Sequence, residues 1–576
     1  MTHKIILNDV FKGYTLDQDK IFPPEETVRR FKERLKKVRL DILEGTVRID
    51  NGRLGVPVYF SICGKDAELT IGTKKQMGKG GTPHQAEASA VMELAERFSF
   101  FSFGRNPKNF IIEKYRNLIK DHTLSFDSIA LSVHDDSEDL GKAREVFSSL
   151  PLKWTWGYNL TRNQEMLVPF DWFRTINEFN GPSAGNCAEE AILQGICEVV
   201  ERHVSSVISR NKMKTDALDL DTATDTLVSR VIRNYRNAGV QLHVSDFSLD
   251  TGIPTVGVLA YDPTTFPEKS EIVWTAGTTP DPQKSLSRAL TEVAQLAGDF
   301  NTRSNYVASG LPKFRNLDEA HFIIHPEEKK GIFTLPNLSN DNIKIEIENC
   351  LSALSCVGLE VIAIDIMHPG LKIPAFYTII PGAHFRERAT GTSVGMFAAK
   401  ILTENHPPER AVLELSRMDA LMPGKYYLKF FLGSCYLALN EPEKGLKILD
   451  TALALEPKDQ DIPSIYSYMA QCLKEMGKYR EAIKMLEKAE RLDKERTDIY
   501  NLMGFCHFKL KEHEKAIECF QKVLELDPSS AIDYANIASN YRDMGKKEAA
   551  ITYYRLALEM DPTIDFARES LNRLQE

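Results

Sequence analysis

Apolar and polar positions change period several times along the chain, and each change marks an element. Residues 25–37, preceded by Pro23-Pro24, spread charges around a helical repeat. They predict a surface helix whose basic residues (Arg29, Arg30, Lys32, Arg34, Lys36, Lys37) form a solvated face. Over residues 48–63, the alternation of Val58, Phe60 and Ile62, with breaks at Gly52 and Gly55-Val56-Pro57, predicts strands. A helix then opens at Thr82, a good N-cap. Pro83 takes its first position and Gln85 completes a capping box. Helices are also expected near residues 110–120 and 140–149. The stretch from Gly181 to His203 predicts a helix opening at Asn186, with Asn186 and Glu189 as a second cap-and-box pair. Residues 219–262 read as helix then strand, ending in the apolar run 253–261, and a third helix follows the cap Asp281 and Pro282. Two strands, 359–365 and 373–380, close the region, the second stopped by Pro381-Gly382. Strands and helices alternating over about 400 residues predict an α/β or α+β domain.

Past Pro407-Pro408 the pattern changes. From Tyr426 it repeats every 34 residues: Asp493, Asp527 and Asp561 are evenly spaced, and the last two each precede proline. A three-residue insertion separates Glu456-Pro457 from that series. Small residues recur at Gly433, Ala470, Gly504 and Ala538, and again at Gly445, Ala482, Ala516 and Ala550. Bulky ones recur at Leu449, Leu486, Phe520 and Tyr554. This is the tetratricopeptide (TPR) pattern, with a terminal capping helix from about Ile564. The domains expected are therefore 1–405, a linker or helix over 406–425, and an all-α solenoid of four repeats over 426–576 with a concave face.

The three capped helices carry the candidate chemistry. At helical spacing, the first lines up Ser89, Glu93, Glu96 and Arg97. The second lines up Glu190, Gln194, Glu198, Glu201 and Arg202, and the third Arg288, Glu292, Gln295 and Asp299. Superimposed, Glu93, Glu198 and Glu292 coincide; so do Glu96, Glu201 and Gln295, and so do Ser89, Gln194 and Arg288. One such helix means little, since Glu–Arg pairs decorate many exposed helices. Three copies on otherwise apolar helices, each behind a glycine-bearing loop, point to a site. A buried carboxylate must be paired or metal-bound. Helix N-termini favour anions, and Mg²⁺ is commonly held by one or two carboxylates together with phosphate oxygens. Arg97, Arg202 and Arg288 can neutralise phosphate or pair with the carboxylates. Gly78-Lys79 is not a Walker A loop, because the spacing from Gly72 is wrong and Gly80 replaces the required Ser or Thr.

Composition narrows the class. The 576 residues carry a net charge of −9 spread along the chain, which argues against non-specific nucleic-acid binding. No apolar run reaches the ~18 residues of a membrane span, and the first 40 residues hold no signal-peptide core. Nine scattered cysteines without a C-x-x-C predict a reduced, cytoplasmic protein.

The motifs also resemble those of a known family. Ser89, Glu93, Glu96 and Arg97 form S-x-x-x-E-x-x-E-R; Ser183, Glu190 and Gln194 form S-x6-E-x3-Q; Glu198 and Arg202 form E-x3-R. Together they resemble the ATP-binding signature of YcaO-domain proteins over roughly residues 10–405, with Leu54-Gly55-Val56-Pro57-Val58 and Ile373-Pro374-Ala375 similar to that family's flanking strands. The resemblance implies an enzyme that uses ATP and Mg²⁺ to phosphorylate a peptide-backbone amide oxygen, after which a nucleophile displaces phosphate. It implies Glu93, Glu96, Glu198 and Glu201 as magnesium ligands. Ser89, Arg97, Ser183, Asn186, Glu190, Gln194, Arg202 and Arg288 would bind the nucleotide. No general base is assigned. Azoline-forming members carry a P-x-P-x-P tail, whereas residues 571–576 read LNRLQE after TPR helices. The resemblance therefore points to thioamidation with a TfuA-like sulfur-delivery partner, or to support of ribosomal-protein methylthiolation, with the repeats recruiting a peptide, protein substrate or partner. The alternative is a nucleotide-binding TPR scaffold without turnover of its own.

Overall fold

The structure is a computed structural model that describes residues 3–135, 139–302, 306, 308, 310–385 and 392–575. It divides into two compact units, residues 1–137 with 148–394, and 138–147 with 395–576. The helix Val394–Asn405, assigned by sequence to the end of the first domain, falls almost wholly in the second unit.

The first unit contains three sheets. β1 (Leu43–Arg48), β2 (Val58–Cys63) and β3 (Lys75–Lys79) form an antiparallel meander, with β1 starting earlier than the alternation implied. The second, six-stranded sheet comprises β4 (Ile111–Lys114), β5 (Pro151–Asn159), β6 (Gln164–Pro169), β7 (Pro182–Ala184), β13 (Ile362–Asp365) and β14 (Ala375–Ile379), in the order β4-β5-β13-β14-β7 with β6 also paired to β5. The third runs β11-β10-β9-β8-β12, where β8 is Ala217–Asp219, β9 Gln241–Asp246, β10 Thr255–Tyr261, β11 Val273–Thr278 and β12 Lys329–Gly331. The expected helix at 110–120 is instead β4 followed by short 3₁₀ turns. Ile111 and Ile112 are β-branched, and Trp154 of β5 clamps the strand by donating its indole N–H to Glu113 O at 2.9 Å. The helix Leu140–Ser149 forms as the pattern predicted.

The three sheets are joined through their edges. β3, β7 and β11 each end a sheet, and each leads directly into one of the three carboxylate helices: Pro83–Arg105, Ala188–Asn211 and Pro282–Ala297. Every helix packs against its own sheet or a strand beside it, and also reaches the edge strand of a neighbouring sheet. The first lies on β3 and β7, the second on β7 and β11, the third on β11 and β3, which closes a ring. The register is the same in all three. The N-caps Thr82, Cys187 and Asp281 each stand eleven residues before Glu93, Glu198 and Glu292. Gly78, Ser183 and Gly277 each stand fifteen before them. A Cβ on Gly78 would come within 2.1 Å of Ala90 N, and one on Gly277 within 2.4 Å of Ser285 O, so the backbones touch there and glycine is required. In the central unit the close approach is made from the helix, where a Cβ on Gly195 would lie 2.3 Å from Thr378 Oγ1.

The central cap corrects the sequence reading. Cys187, not Asn186, caps that helix, its sulfur accepting from Glu190 N at 3.4 Å, and Glu189 is not part of a box. At the third helix, Gly298 and Asp299 turn into positive φ, so Asp299 leaves the stripe. Its carboxylate instead accepts from Asn51 N at 2.6 Å and Leu54 N at 3.2 Å.

In the second unit, helical hairpins run from Tyr426–Ala438 to Lys547–Met560, and Asp565–Gln575 follows them as a cap. Leu449, Leu486, Phe520 and Tyr554 are buried, and Gly433 and Gly504 receive Leu449 and the Phe520 ring so closely that a Cβ would meet them at 2.6 and 2.8 Å.

Overpacking a close backbone contact costs about 1–3 kcal/mol. Gly78→Ala is therefore expected to lower the first thermal unfolding transition, followed by circular dichroism. An unchanged midpoint would show that β3 is not seated on its helix as described.

Candidate active site: a cavity ringed by three carboxylate helices

The ring of helices encloses a cavity of about 340 Å³. Its lining includes Ser89, Glu93, Glu96, Arg97, Asn186, Glu190, Gln194, Glu198, Arg202, Arg288, Glu292 and Gln295, so the three stripes converge. Two expected residues do not line it. Ser183 is buried and donates its hydroxyl to Ala191 O at 2.7 Å, seating β7 on the central helix. Glu201 lies behind the wall, where its carboxylate accepts from Arg288 Nε at 3.1 Å and stands 3.5 Å from Arg202 Nη1.

The charges are interlocked. Arg97 reaches Glu93 at 3.3 Å and Glu96 at 3.5 Å, and donates to Phe179 O at 3.0 Å. Arg288 also donates to Gln194 Oε1 at 3.0 Å. Glu190 uses both oxygens on protein, accepting from Ile21 N at 2.6 Å and from Asn186 N at 2.9 Å. Glu198 projects into the cavity with no ion pair among the described residues.

Several lining groups carried no sequence signal. Gln18, Lys20 and Phe22 belong to an irregular N-terminal strap. Buried Asp17 fastens it by accepting from Gly81 N, and Ile21 fastens it to Glu190. Lys79, set aside with the failed Walker A match, lies at the end of β3, points into the cavity and pairs with Glu292. An ordinary strand lysine gives no warning of this.

Burial raises the Glu96 carboxyl above its ordinary range despite Arg97, and raises Glu198 despite Arg202, Arg97 and Arg288. Burial, with Arg288 close by, brings Lys79 down to about 7. The cavity is thus short of a cation against Glu96 and Glu198, while its lysine, paired with Glu292, is crowded by two arginines whose charge an anion would offset. Arg202 Nε is buried with no hydrogen-bond partner among the described residues. A magnesium–polyphosphate supplies both charges, so the residues fit that group. Glu93, Glu96 and Glu198 would hold the metal, and Lys79, Arg97, Arg202 and Arg288 the phosphates. When bound, the group supplies a phosphoryl donor whose charge the metal and arginines neutralise. Among the described residues no three acidic, histidine or cysteine side chains gather tightly enough to hold an ion alone.

Comparison with known proteins decides the family. Residues 77–384, over half the chain, match the family model described as YcaO cyclodehydratase, ATP- and Mg²⁺-binding. The chain belongs to the YcaO family. Residues 430–534 match the TPR domain of cytochrome c-type biogenesis protein H, and 534–564 a tetratricopeptide repeat. An uncharacterized protein in the tfuA 3′ region of Rhizobium leguminosarum bv. trifolii is 22% identical over 61% of this chain and 85% of its own length. The ribosomal protein S12 methylthiotransferase accessory factor YcaO of Escherichia coli is 25% identical over 52% of this chain and 53% of its own. A heterocyclase solved in complex with substrate and cofactor shares the fold, with a TM-score of 0.55 and 21% identity over 66% of this chain and 55% of that one. The chain thus spans about half the length of the last two. Among the described residues, no helix of this YcaO protein is long and apolar enough to cross a membrane.

Lys79 gives a test with a definite sign. Its amine is held at about 7, so above that pH it is largely neutral until an anion arrives and raises it again. Mg·ATP binding at about pH 8 should therefore take up protons. Calorimetry in buffers of different ionisation enthalpy should show this uptake, and Lys79→Met should abolish it. Equal heats in all buffers for the unaltered protein would remove Lys79 from the phosphate site.

Proposed function

We propose that this protein uses ATP and Mg²⁺ to activate a peptide-backbone amide for post-translational modification. The γ-phosphoryl group passes to the amide oxygen and ADP leaves. A nucleophile then attacks the amide carbon, and the oxygen departs with phosphate. The observation that carries this reading is the convergence of Glu93, Glu96 and Glu198 with Lys79, Arg97, Arg202 and Arg288 around one cavity. Phosphoryl transfer asks mainly for positioning and charge neutralisation, and this set offers both.

Among the possible products we favour a thioamide, or support of ribosomal-protein methylthiolation, over an azoline. The relative in the tfuA 3′ region supports a TfuA-like sulfur donor as partner, and the Escherichia coli relative supports the ribosomal alternative. The repeats would recruit the peptide, the protein substrate or that partner. Their polar groove, lined among others by Gln471, Asp498, Asn501 and Asp533, suits an extended polypeptide. We place the protein in the cytoplasm, where its nine free cysteines stay reduced. The competing reading, a nucleotide-holding scaffold, differs in lacking substrate-dependent turnover.

Glu198→Gln keeps shape and removes one charge from a carboxylate that has no ion pair among the described residues. It should cut Mg²⁺-dependent ATP hydrolysis by about 100-fold while leaving the thermal transitions in place. Undiminished turnover in that variant would refute the assignment of Glu198 to the metal.

A further inference from the structure

Arg97 is occupied on three sides. Nη2 donates to Glu93 at 3.3 Å, Nε stands 3.5 Å from Glu96, and Nη1 donates to Phe179 O at 3.0 Å. Both carboxylate contacts are long for charged pairs, which close to about 2.7–2.9 Å when nothing restrains them. On the helix Pro24–Lys37, Arg30 reaches Glu26 at 2.7 Å across the same four-residue spacing that separates Arg97 from Glu93. The difference is the carbonyl, which draws the Arg97 guanidinium away from its own helix.

Phe179 owes its position to a strained turn. The helix Phe170–Asn177 ends at Glu178, whose φ of 52° and ψ of −106° lie outside the regions that a residue with a side chain ordinarily occupies. Such a conformation persists only where its surroundings impose it. Here Glu178 N donates to Arg174 O at 3.1 Å, Asn180 N and Nδ2 both donate to Asn177 O at 2.9 Å, and Gly181 O accepts from Thr378 N at 2.9 Å. The Phe179 ring adds a further hold. It rests on Phe101, one turn beyond Arg97, with centroids 5.8 Å apart, and the Arg97 guanidinium lies 5.5 Å from its centroid, within cation–π reach. The residue is nevertheless 52% exposed and does not line the cavity.

We infer that Phe179 is a positioning residue: its carbonyl, presented by a strained turn and an anchored ring, keeps Arg97 from closing on Glu93 and Glu96 and so leaves both carboxylates free for the metal. This rests on the nucleotide reading of the cavity and adds to it a residue outside the three helices. Without the ring the turn relaxes and its carbonyl leaves Nη1. Arg97 then closes on the two carboxylates, and the metal must displace it.

The test is calorimetric titration of the full chain with the non-hydrolysable ATP analogue AMPPCP over a range of Mg²⁺ concentrations. Phe179→Ala should raise the Mg²⁺ concentration that gives half-maximal AMPPCP affinity about tenfold, the scale of effect when a group that orients a metal ligand is lost. Phe179→Tyr keeps the ring face and should match the unaltered protein. Asn180→Ala loosens the turn without touching the ring and should move the requirement the same way by a smaller factor. Thermal transitions should stay in place in all three, because a half-exposed ring and a surface turn add little to the core. A magnesium requirement unchanged in both Phe179→Ala and Asn180→Ala would overturn the positioning role and leave the nucleotide site standing. Affinity lost equally at every Mg²⁺ concentration would also overturn it, since the metal ligands would then be unaffected. Absence of Mg²⁺-dependent AMPPCP binding in the unaltered protein would overturn the nucleotide reading itself, and this role with it.

Discussion

The structure turns on burying opposite charges together where three helices meet. A carboxylate removed from water is stable only beside a partner. Here Arg97 answers Glu93 and Glu96, Arg288 and Arg202 answer Glu201, and Lys79 answers Glu292. The pairing is incomplete by design of the ring. Glu198 has no ion-pair partner among the described residues, and Lys79 is crowded by Arg288 and Arg202 as well as by its own burial. Such residual charge is tolerable only if the backbone holds the groups apart, because side chains free to move would collapse into pairs.

That rigidity comes from the ring of strands. Each carboxylate helix springs from the edge strand of a different sheet and rests on the edge strand of another, so no helix can shift without disturbing two sheets. The close contacts at Gly78 and Gly277, to backbone, and at Gly195, to the Thr378 and Ser183 side chains, fix the height of each helix above the strands it rests on. The caps fix where each helix starts, and a common spacing from cap to glutamate brings Glu93, Glu198 and Glu292 to one level. The repeated register explains why similar side chains meet from distant parts of the chain.

What the sequence revealed and what it hid follow from the range of the forces involved. Helical stripes, prolines at first helical positions and the 34-residue repeat are local signals, and they placed the three helices and the TPR array. The central cap was missed because asparagine is the stronger capping residue on its own; in the fold, Asn186 is taken by Glu190, and Cys187 caps instead. Asp299 looked like the end of a stripe, but two backbone amides at residues 51 and 54 recruit it, and no periodicity records that. The N-terminal strap and Lys79 were invisible for the same reason. Their roles are set by residues more than sixty positions away, as Asp17 with Gly81 and Lys79 with Glu292 show.

The balance of charge also bears on what the cavity accepts. Five carboxylates and five basic side chains line it, so it is formally neutral, with its signs interleaved. A bare divalent cation meets Arg97, Arg202 and Arg288 as well as the glutamates. Free polyphosphate meets Glu93, Glu96 and Glu198 as well as the arginines. Each alone gains attraction from one set of side chains and repulsion from the other. A metal–phosphate complex presents both signs at once, and each set can then face its opposite. Neutrality with both signs on the wall therefore favours the complex over its parts, which a uniformly basic or uniformly acidic pocket of the same size would not do.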